Sequence, residues 1–185
     1  MASVLIPLAQ GCEELEAVTV IDLLRRAAID VVTAGLDDKP VKASRGTVLL
    51  PDTTLEQAMQ QDFDMLVLPG GLPGADHLNQ DPRIHGLLKK FIENNKYIAA
   101  ICAAPKVLAS AGLLKGRHAT CYPGSLDEVD TEGVMFEQKP VVIDGRIITS
   151  RGPGTAMDFA LVLIEQLLGK ARREEVEAPL QRPVT

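Results

Sequence analysis

The chain has 185 residues and a mass of 19.9 kDa, and 46% of its residues are hydrophobic and 24% charged. These values are typical of a soluble globular protein with a single domain over residues 1–185. Its formal net charge of -6, its 3% aromatic content and its lack of Trp exclude charge-driven nucleic-acid binding and argue against a stacking platform for single strands.

The chain also has the features of a cytoplasmic protein without a membrane partner. Residues 1–7 carry no basic segment, and their apolar run is too short for a secretion signal. The longest helical segment contains Glu165 and Gln166, so no stretch approaches the roughly 20 apolar residues of a membrane span. Three cysteines without close pairing predict reduced thiols and no disulfide framework.

Short apolar runs alternate with longer amphipathic segments along the chain. The runs of strand length are residues 3–8, 31–34, 65–68 and 97–101, and the helical segments are 13–28, 55–60, 83–94, 103–111 and 155–168. Residues 41–50, with Gly46 near the middle, and 141–149, which turn at Asp144-Gly145, are predicted hairpins. The charged tail, 169–185, predicts one short surface helix that frays towards its end.

This alternation predicts a doubly wound α/β fold with a mostly parallel central sheet, because strands buried on both faces are near-continuous apolar runs. Ligands of such sheets gather beyond the carboxyl ends of the strands. The loops that follow the apolar runs are therefore where a functional site is expected.

Glu16 is the anomalous residue of the first predicted helix. On a helical wheel Leu23 and Ala27 flank it by roughly 20° on either side, so its carboxyl is expected to face the sheet. A carboxyl desolvated in this way has a raised pKa and can act as a general acid or base near neutrality. The alternative is a carboxyl at the edge of the apolar stripe that reaches solvent.

The loop after the third apolar run, Leu-Pro-Gly-Gly-Leu-Pro-Gly at residues 68–74, is rich in glycine. Gly70 and Gly71 let backbone N–H groups approach a small ligand, which predicts an oxyanion site. The loop lacks the Gly-Lys-Ser/Thr ending of a phosphate-binding loop.

Cys102 lies where the fourth apolar run passes directly into a helix that Pro105 can begin. This is the arrangement of a nucleophile elbow, in which the helix N-terminus is expected to stabilise the thiolate. The alternative is a small buried side chain at an alanine-rich strand end. The last glycine-rich stretch, residues 150–155, presents Thr155 as a helix N-cap and Arg151 as a residue that could reach a substrate carboxylate or a partner chain.

The three histidines, His77, His85 and His118, have no metal-ligand spacing, and no second thiol lies at C-x-x-C distance. We therefore expect no metal and no cofactor. A Cys-His-acid triad is not evident, which leaves a Cys102–Glu16 pair.

Five motifs together resemble the ThiJ/PfpI superfamily, in the branch of the parkinsonism-associated deglycase and bacterial YajL. They are GCEELEAV at the first helix, LLRRA at its end, VLPGG, AAICAAP and TSRGPGT, and the likeness covers essentially the whole chain. The resemblance implies a flavodoxin-like α/β/α sandwich and a homodimer, with Arg26 and Arg45 at the dimer surface.

The resemblance also implies that Cys102 is the reactive cysteine, Glu16 its protonated partner, and the N–H groups of Gly71 and Ala103 the donors to a bound oxyanion. Several relatives carry a histidine where this chain has Thr-Cys-Tyr-Pro at residues 120–123. YajL-like members lack that histidine, as this chain does. Cys121 and Tyr122 are accessory candidates at that position.

Two functions follow from these residues. One is a glutathione-independent glyoxalase or deglycase acting on methylglyoxal, glyoxal or glycated proteins, with Cys102 as nucleophile and Glu16 as general acid and base. The other is an oxidative-stress sensor or chaperone that uses oxidation of Cys102. Thiamine biosynthesis, proteolysis and flavin binding are disfavoured, because the chain shows no phosphate site and no histidine at the elbow.

Overall fold

The computed structural model describes residues 1–182. Its strands are β1 (Ser3–Leu8), β2 (Asp30–Gly35), β3 (Val41–Lys42), β4 (Val48–Leu49), β5 (Thr53–Thr54), β6 (Met65–Leu68), β7 (Tyr97–Ile101), β8 (His118–Ala119), β9 (Met135–Phe136), β10 (Val141–Asp144) and β11 (Ile147–Ser150). Its helices are α1 (Glu14–Arg26), α2 (Leu55–Ala58), α3 (Gly74–Gln80), α4 (Pro82–Glu93), α5 (Pro105–Ser110), α6 (Ala156–Leu168) and α7 (Lys170–Glu177). Single 3-10 turns follow β11 and α7, at Pro153–Thr155 and Ala178–Leu180.

The central sheet has seven strands in the order β10-β11-β7-β6-β1-β2-β5. All neighbours pair in parallel except β10, which runs antiparallel to β11. The chain moves from β1 to β2 on one side and returns to β6 on the other, so the strand order reverses at β1. The crevice between the carboxyl ends of β1 and β6 is the switch point where such sheets bind ligands.

Two apolar clusters cover the two faces of this sheet, and the side-chain alternation of β1 divides between them. Val4, Ile6 and Leu8 pack into the cluster with α1 and α6, whereas Leu5 packs into the cluster with α2, α4 and α5. All four side chains are almost completely buried. The predicted mostly parallel, flavodoxin-like α/β fold is confirmed, and β1 is its central strand.

The predicted strands agree closely with the observed ones, and both predicted hairpins form as antiparallel pairs. The observed helix ends differ from the predicted ones by a few residues. For example, α5 begins at Pro105 and not at Ala103. The sequence analysis missed α3, because its seven residues start with Gly74 and carry only a short apolar stripe of Ala75 and Leu78. The short strands β5 and β9 were also not predicted.

The tail forms the predicted short surface helix, α7, whose residues other than Val176 are exposed or half-buried. α7 packs on α6, and its Val176 is 4% exposed within the core cluster. Arg182 forms an ion pair with Asp158 at 2.5 Å, and Arg172 donates to the carbonyl of Ala27. The predicted frayed end, residues 183–185, lies outside the described residues.

Thr155 precedes α6, but its hydroxyl does not cap that helix. The hydroxyl instead accepts a hydrogen bond from the Gly152 N–H at 3.1 Å and lies 2.8 Å from the Ser150 hydroxyl. Thr155 thus occupies the predicted N-cap position of α6, but its hydroxyl fixes the loop after β11 instead of capping the helix. Within residues 1–182 no helix has both the length and the apolar character to cross a membrane.

Candidate active site

Cys102 occupies a sharp connection between β7 and α5. Its φ of 62° lies in the left-handed region, which costs a residue other than glycine about 1–3 kcal/mol and persists only where surrounding contacts hold it. The Cys102 N–H donates to the carbonyl of Ser150 at 3.0 Å, and its carbonyl accepts from the Tyr122 N–H at 2.8 Å. The backbone geometry is that of the predicted elbow.

Glu16 lies in the first turns of α1, and its side chain is fully buried. Its Oε2 accepts a hydrogen bond from the Gly70 N–H at 2.9 Å, whereas Oε1 has no partner within residues 1–182. Burial raises the pKa of this carboxyl from 4.5 to about 7, and the charge of Glu13 adds to the shift. The alternative of a solvent-exposed Glu16 carboxyl is thereby overturned, and the group can hold or release a proton near neutrality.

The Cys102 thiol is 8% exposed and interacts with the Glu16 carboxyl. Burial, and next the charge of Glu16, raise the pKa of the thiol to about 12. The backbone N–H groups of Gly71 and Ala103 act in the opposite direction, because they donate to the sulfur. The expected stabilisation of the thiolate at the start of α5 is therefore outweighed by burial and by the charge of Glu16. Protonation of Glu16 removes the opposing charge.

The loop after β6 approaches the thiol so closely that side chains have no room. A Cβ added to Gly70 would lie 2.6 Å from the Cys102 Cβ and 2.8 Å from the Glu16 Oε2. Gly71 has a φ of +87°, and a Cβ there would lie 2.4 Å from the backbone nitrogen of Glu13. These two glycines let the loop pack closely against the elements that carry the cysteine and the carboxyl. The approach of its N–H groups to a small bound oxyanion stays a prediction.

The three accessory candidates lie beside the elbow. Cys121 is half-buried, and burial raises the pKa of its thiol while the Ser125 hydroxyl and the charge of Arg151 lower it. The Tyr122 side chain is 51% exposed, and a Cβ added to Gly152 would lie 3.2 Å from its ring. The charge of Arg151 thus lowers the pKa of the Cys121 thiol. Within the described residues, Arg151 makes no contact with the Cys102 thiol.

All three histidines lie within the described residues and make their contacts away from the thiol. The imidazoles of His77 and His85 lie 2.9 and 2.8 Å from the backbone carbonyls of Gln10 and Asn79. His118 pairs with Glu137 at 2.7 Å on the surface. Across residues 1–182, no three His, Cys, Asp or Glu side chains form a group that could hold a metal ion.

Two contributors to the site were missed in the sequence. Ser150 holds the Cys102 N–H through its carbonyl, and only the pairing of β11 with β7 brings the two together. Glu13 is 9% exposed, binds the Ser44 hydroxyl at 2.8 Å and raises the pKa of Glu16. Cys12 is buried, and burial with the charge of Glu14 raises the pKa of its thiol to about 12.

Comparisons with known proteins find similar sequences over nearly the whole chain. Residues 2–166 match the model of the DJ-1/PfpI family. Protein dj-1beta of Drosophila melanogaster is 45% identical over 175 residues, which is 94% of each chain. The glutathione-independent glyoxalase DJR-1.2 of Caenorhabditis elegans is 37% identical over 179 residues, covering 97% of this chain and 95% of that protein.

Two solved structures are similar over the whole fold. The crystal structure of Drosophila melanogaster DJ-1beta has a TM-score of 0.94 at 43% identity and covers 99% of both chains. The oxidized form of Toxoplasma gondii DJ-1 has a TM-score of 0.92 at 36% identity and covers 100% of both chains.

Proposed function

Since the chain belongs to the DJ-1/PfpI family, we propose that it is a cysteine-dependent glyoxalase or deglycase that works without glutathione. Its substrates are methylglyoxal, glyoxal or early glycation adducts on proteins. The observation that carries this proposal is the buried Glu16 carboxyl, with a pKa of about 7, against the Cys102 thiol. A named glyoxalase among the similar proteins supports the same reaction class.

The first step is addition of sulfur to the aldehyde. The thiol proton passes to Glu16, and the Cys102 Sγ attacks the aldehyde carbon of methylglyoxal to form a hemithioacetal. The aldehyde oxygen becomes negatively charged in this step. The N–H groups of Gly71 and Ala103 already point at the sulfur, so they are suited to receive that oxygen beside it.

The second step moves a proton between neighbouring carbons. Glu16 first returns the thiol proton to the aldehyde oxygen. The ionised carboxyl then removes the proton from the former aldehyde carbon and delivers it to the former ketone carbon, while the hydroxyl proton passes to the former ketone oxygen. This oxidises the first carbon and reduces the second. The product is a thioester of Cys102, and water hydrolyses it to lactate and the free thiol. Overall one methylglyoxal and one water give one lactate, so no cofactor is consumed.

The test is lactate formation from methylglyoxal in the absence of glutathione. Wild type and Cys102→Ser are compared at matched concentration, and His118→Ala serves as a control because His118 pairs with Glu137 on the surface. We expect turnover in wild type and His118→Ala, and loss of at least about 100-fold in Cys102→Ser. Aldehyde loss that stops at one equivalent per chain, or none at all, would contradict catalysis.

The second candidate function is oxidative-stress sensing or chaperone activity through oxidation of Cys102. It is favoured by the oxidized state reported for the similar Toxoplasma gondii DJ-1. In this function a protonated Glu16 donates a hydrogen bond to the sulfinate oxygens of Cys102. Mass spectrometry after mild peroxide treatment should find Cys102 modified first. Earlier modification of Cys12 or Cys121 would remove the basis of this function.

We further propose that residues 1–185 form one domain that acts as a cytoplasmic homodimer, with no nucleic-acid or membrane partner. The three free cysteines support a reducing compartment. Leu15 and Val18 of α1 and Val48 of β4 are between 45% and 63% exposed, and they support an apolar dimer surface.

A further inference from the structure

Lys106 is a buried cation that the proposed reaction does not use. It lies in the first turn of α5, and its side chain is 10% exposed. Its Nζ lies 2.5 Å from the Oδ1 of Asp76, in the first turn of α3. A buried lysine needs such a partner, because an unpaired charge in the interior is strongly unfavourable.

The two members of this pair lie in the helical turns that follow the two N–H donors of the site. The Lys106 N–H bonds to the carbonyl of Ala103 at 3.2 Å, and the Ala75 N–H, next to Asp76, bonds to the carbonyl of Gly71 at 2.8 Å. α3 and α5 also pack against each other. The ion pair therefore ties together the first turns of the two helices whose preceding loops face the sulfur.

We propose that Lys106 and Asp76 form a positioning ion pair, which fixes the separation of the Gly71 and Ala103 N–H groups around the Cys102 sulfur. Neither residue contacts the reacting atoms. Their effect on the reactivity of the Cys102 thiolate does not depend on which reaction the protein catalyses. Their effect on the substrate oxygen rests on the proposed function. The ion pair can affect the rate through the positions of the donors alone, because displacement of one donor by about 1 Å can cost about 100-fold in rate.

The first test is the pH dependence of Cys102 alkylation by iodoacetamide in Lys106→Met and Asp76→Asn. These variants change the local charge in opposite directions, so a direct charge effect would move the pKa of Cys102 down in Asp76→Asn and up in Lys106→Met. Loss of positioning weakens the N–H donors in both variants. We expect both profiles to move to higher pH, with alkylation at pH 7 about 10-fold slower.

Lactate formation gives the second readout. We expect kcat to fall about 10-fold in both variants with KM within about twofold, because the donors serve the transition state more than substrate binding. The double variant should be no worse than the poorer single variant, since the pair acts as a unit. Lys106→Arg keeps the charge and the length needed for the ion pair and should restore most of kcat.

The matched control is the Lys90–Asp62 pair, which joins α4 to the loop before β6 at 2.7 Å, away from the site. Lys90→Met should leave both readouts unchanged. Unshifted alkylation profiles, or shifts of opposite sign, in folded Lys106→Met and Asp76→Asn would overturn the positioning role. If wild type forms no lactate, the proposed function fails while the alkylation profiles still decide this inference.

Discussion

At the scale of single residues, the carboxyl of Glu16 is fully buried although only one of its oxygens has a hydrogen-bond partner among residues 1–182. Between pH 4.5 and about 7 the folded chain keeps a proton that the unfolded chain loses, so stability falls as the pH rises through this window. The raised pKa corresponds to about 3 kcal/mol. Glu16→Gln removes the titration, so its denaturant stability should be nearly independent of pH over this window, whereas that of the wild type should decline.

The same substitution separates the two roles of the carboxyl. Gln cannot exchange a proton, so lactate formation should fall at least about 100-fold. Alkylation of Cys102 should become faster, because the charge that raises the pKa of the thiol is gone. Full lactate turnover in Glu16→Gln would refute the proposed proton transfer, and Glu14→Gln in the same turn is the control.

The sequence predicted the burial of Glu16 because helical periodicity places it between Leu23 and Ala27, and that information is local. It predicted the elbow at Cys102 from a strand that runs into Pro105. It did not predict the carbonyl of Ser150 as a partner of Cys102, nor the pairing of Lys106 with Asp76. These contacts depend on which strands and helices become neighbours, and only the tertiary arrangement supplies that.

At the scale of elements, the loop between β6 and α3 owes its path to glycine. Gly70→Ala would place a Cβ 2.7 Å from the Ile101 carbonyl as well as against Cys102 and Glu16. We expect a loss of about 1–3 kcal/mol in the free energy of unfolding, since buried backbone must shift. The reactivity of Cys102 should fall with it.

Gly86→Ala is the matched control, because Gly86 lies within α4 with open space around its Cα. Alanine favours the helix over glycine, so this variant should gain about 0.5–1 kcal/mol with the site unchanged. Denaturant unfolding and iodoacetamide labelling check both variants. Equal effects of the two substitutions would show that the close approach of the loop after β6 does not matter.

Element prediction succeeded where the pattern was strong and failed where it was short. The four long apolar runs gave β1, β2, β6 and β7 with nearly correct ends, because strands buried on both faces are recognisable as runs. Two-residue strands such as β5 and β9 have too few residues for any periodicity. The short surface helix of the tail was predicted, but its docking on α6 was not, because a single buried residue, Val176, leaves no apolar stripe in the sequence.

At the scale of the whole molecule, the exposed apolar residues of α1 and β4 lie close together. The N–H groups of Arg45 and Thr47, in the hairpin of β3 and β4, donate to the Glu14 carboxylate at the start of α1. Leu15 and Val48 are therefore on neighbouring surfaces. An apolar surface shared by two elements is typical of an interface between copies.

Leu15→Asp combined with Val48→Asp should convert the proposed dimer to a monomer, because each copy would bury two added charges in the interface. Light scattering on a sizing column measures the mass. Met135→Asp, which changes an exposed apolar residue of β9, should leave the dimer intact. A monomeric wild type, or a dimer unaffected by the double variant, would contradict this surface.

The family was predictable from sequence because its five motifs lie in the loops at the carboxyl ends of the sheet and in the first helix. The match over residues 2–166 confirms that resemblance. The choice between turnover and oxidation was not predictable, since both use the same thiol and carboxyl.

The bond between the Cys102 N–H and the Ser150 carbonyl has a consequence for synthesis of the chain. A ribosome releases Cys102 before it has made β11, so the elbow lacks its acceptor until β11 pairs beside β7. Until then one of the two backbone hydrogen bonds that hold the left-handed φ of Cys102 is missing. The strained elbow is therefore expected to be among the last parts of the site to form, after the first helix and the glycine loop that face it have already been made.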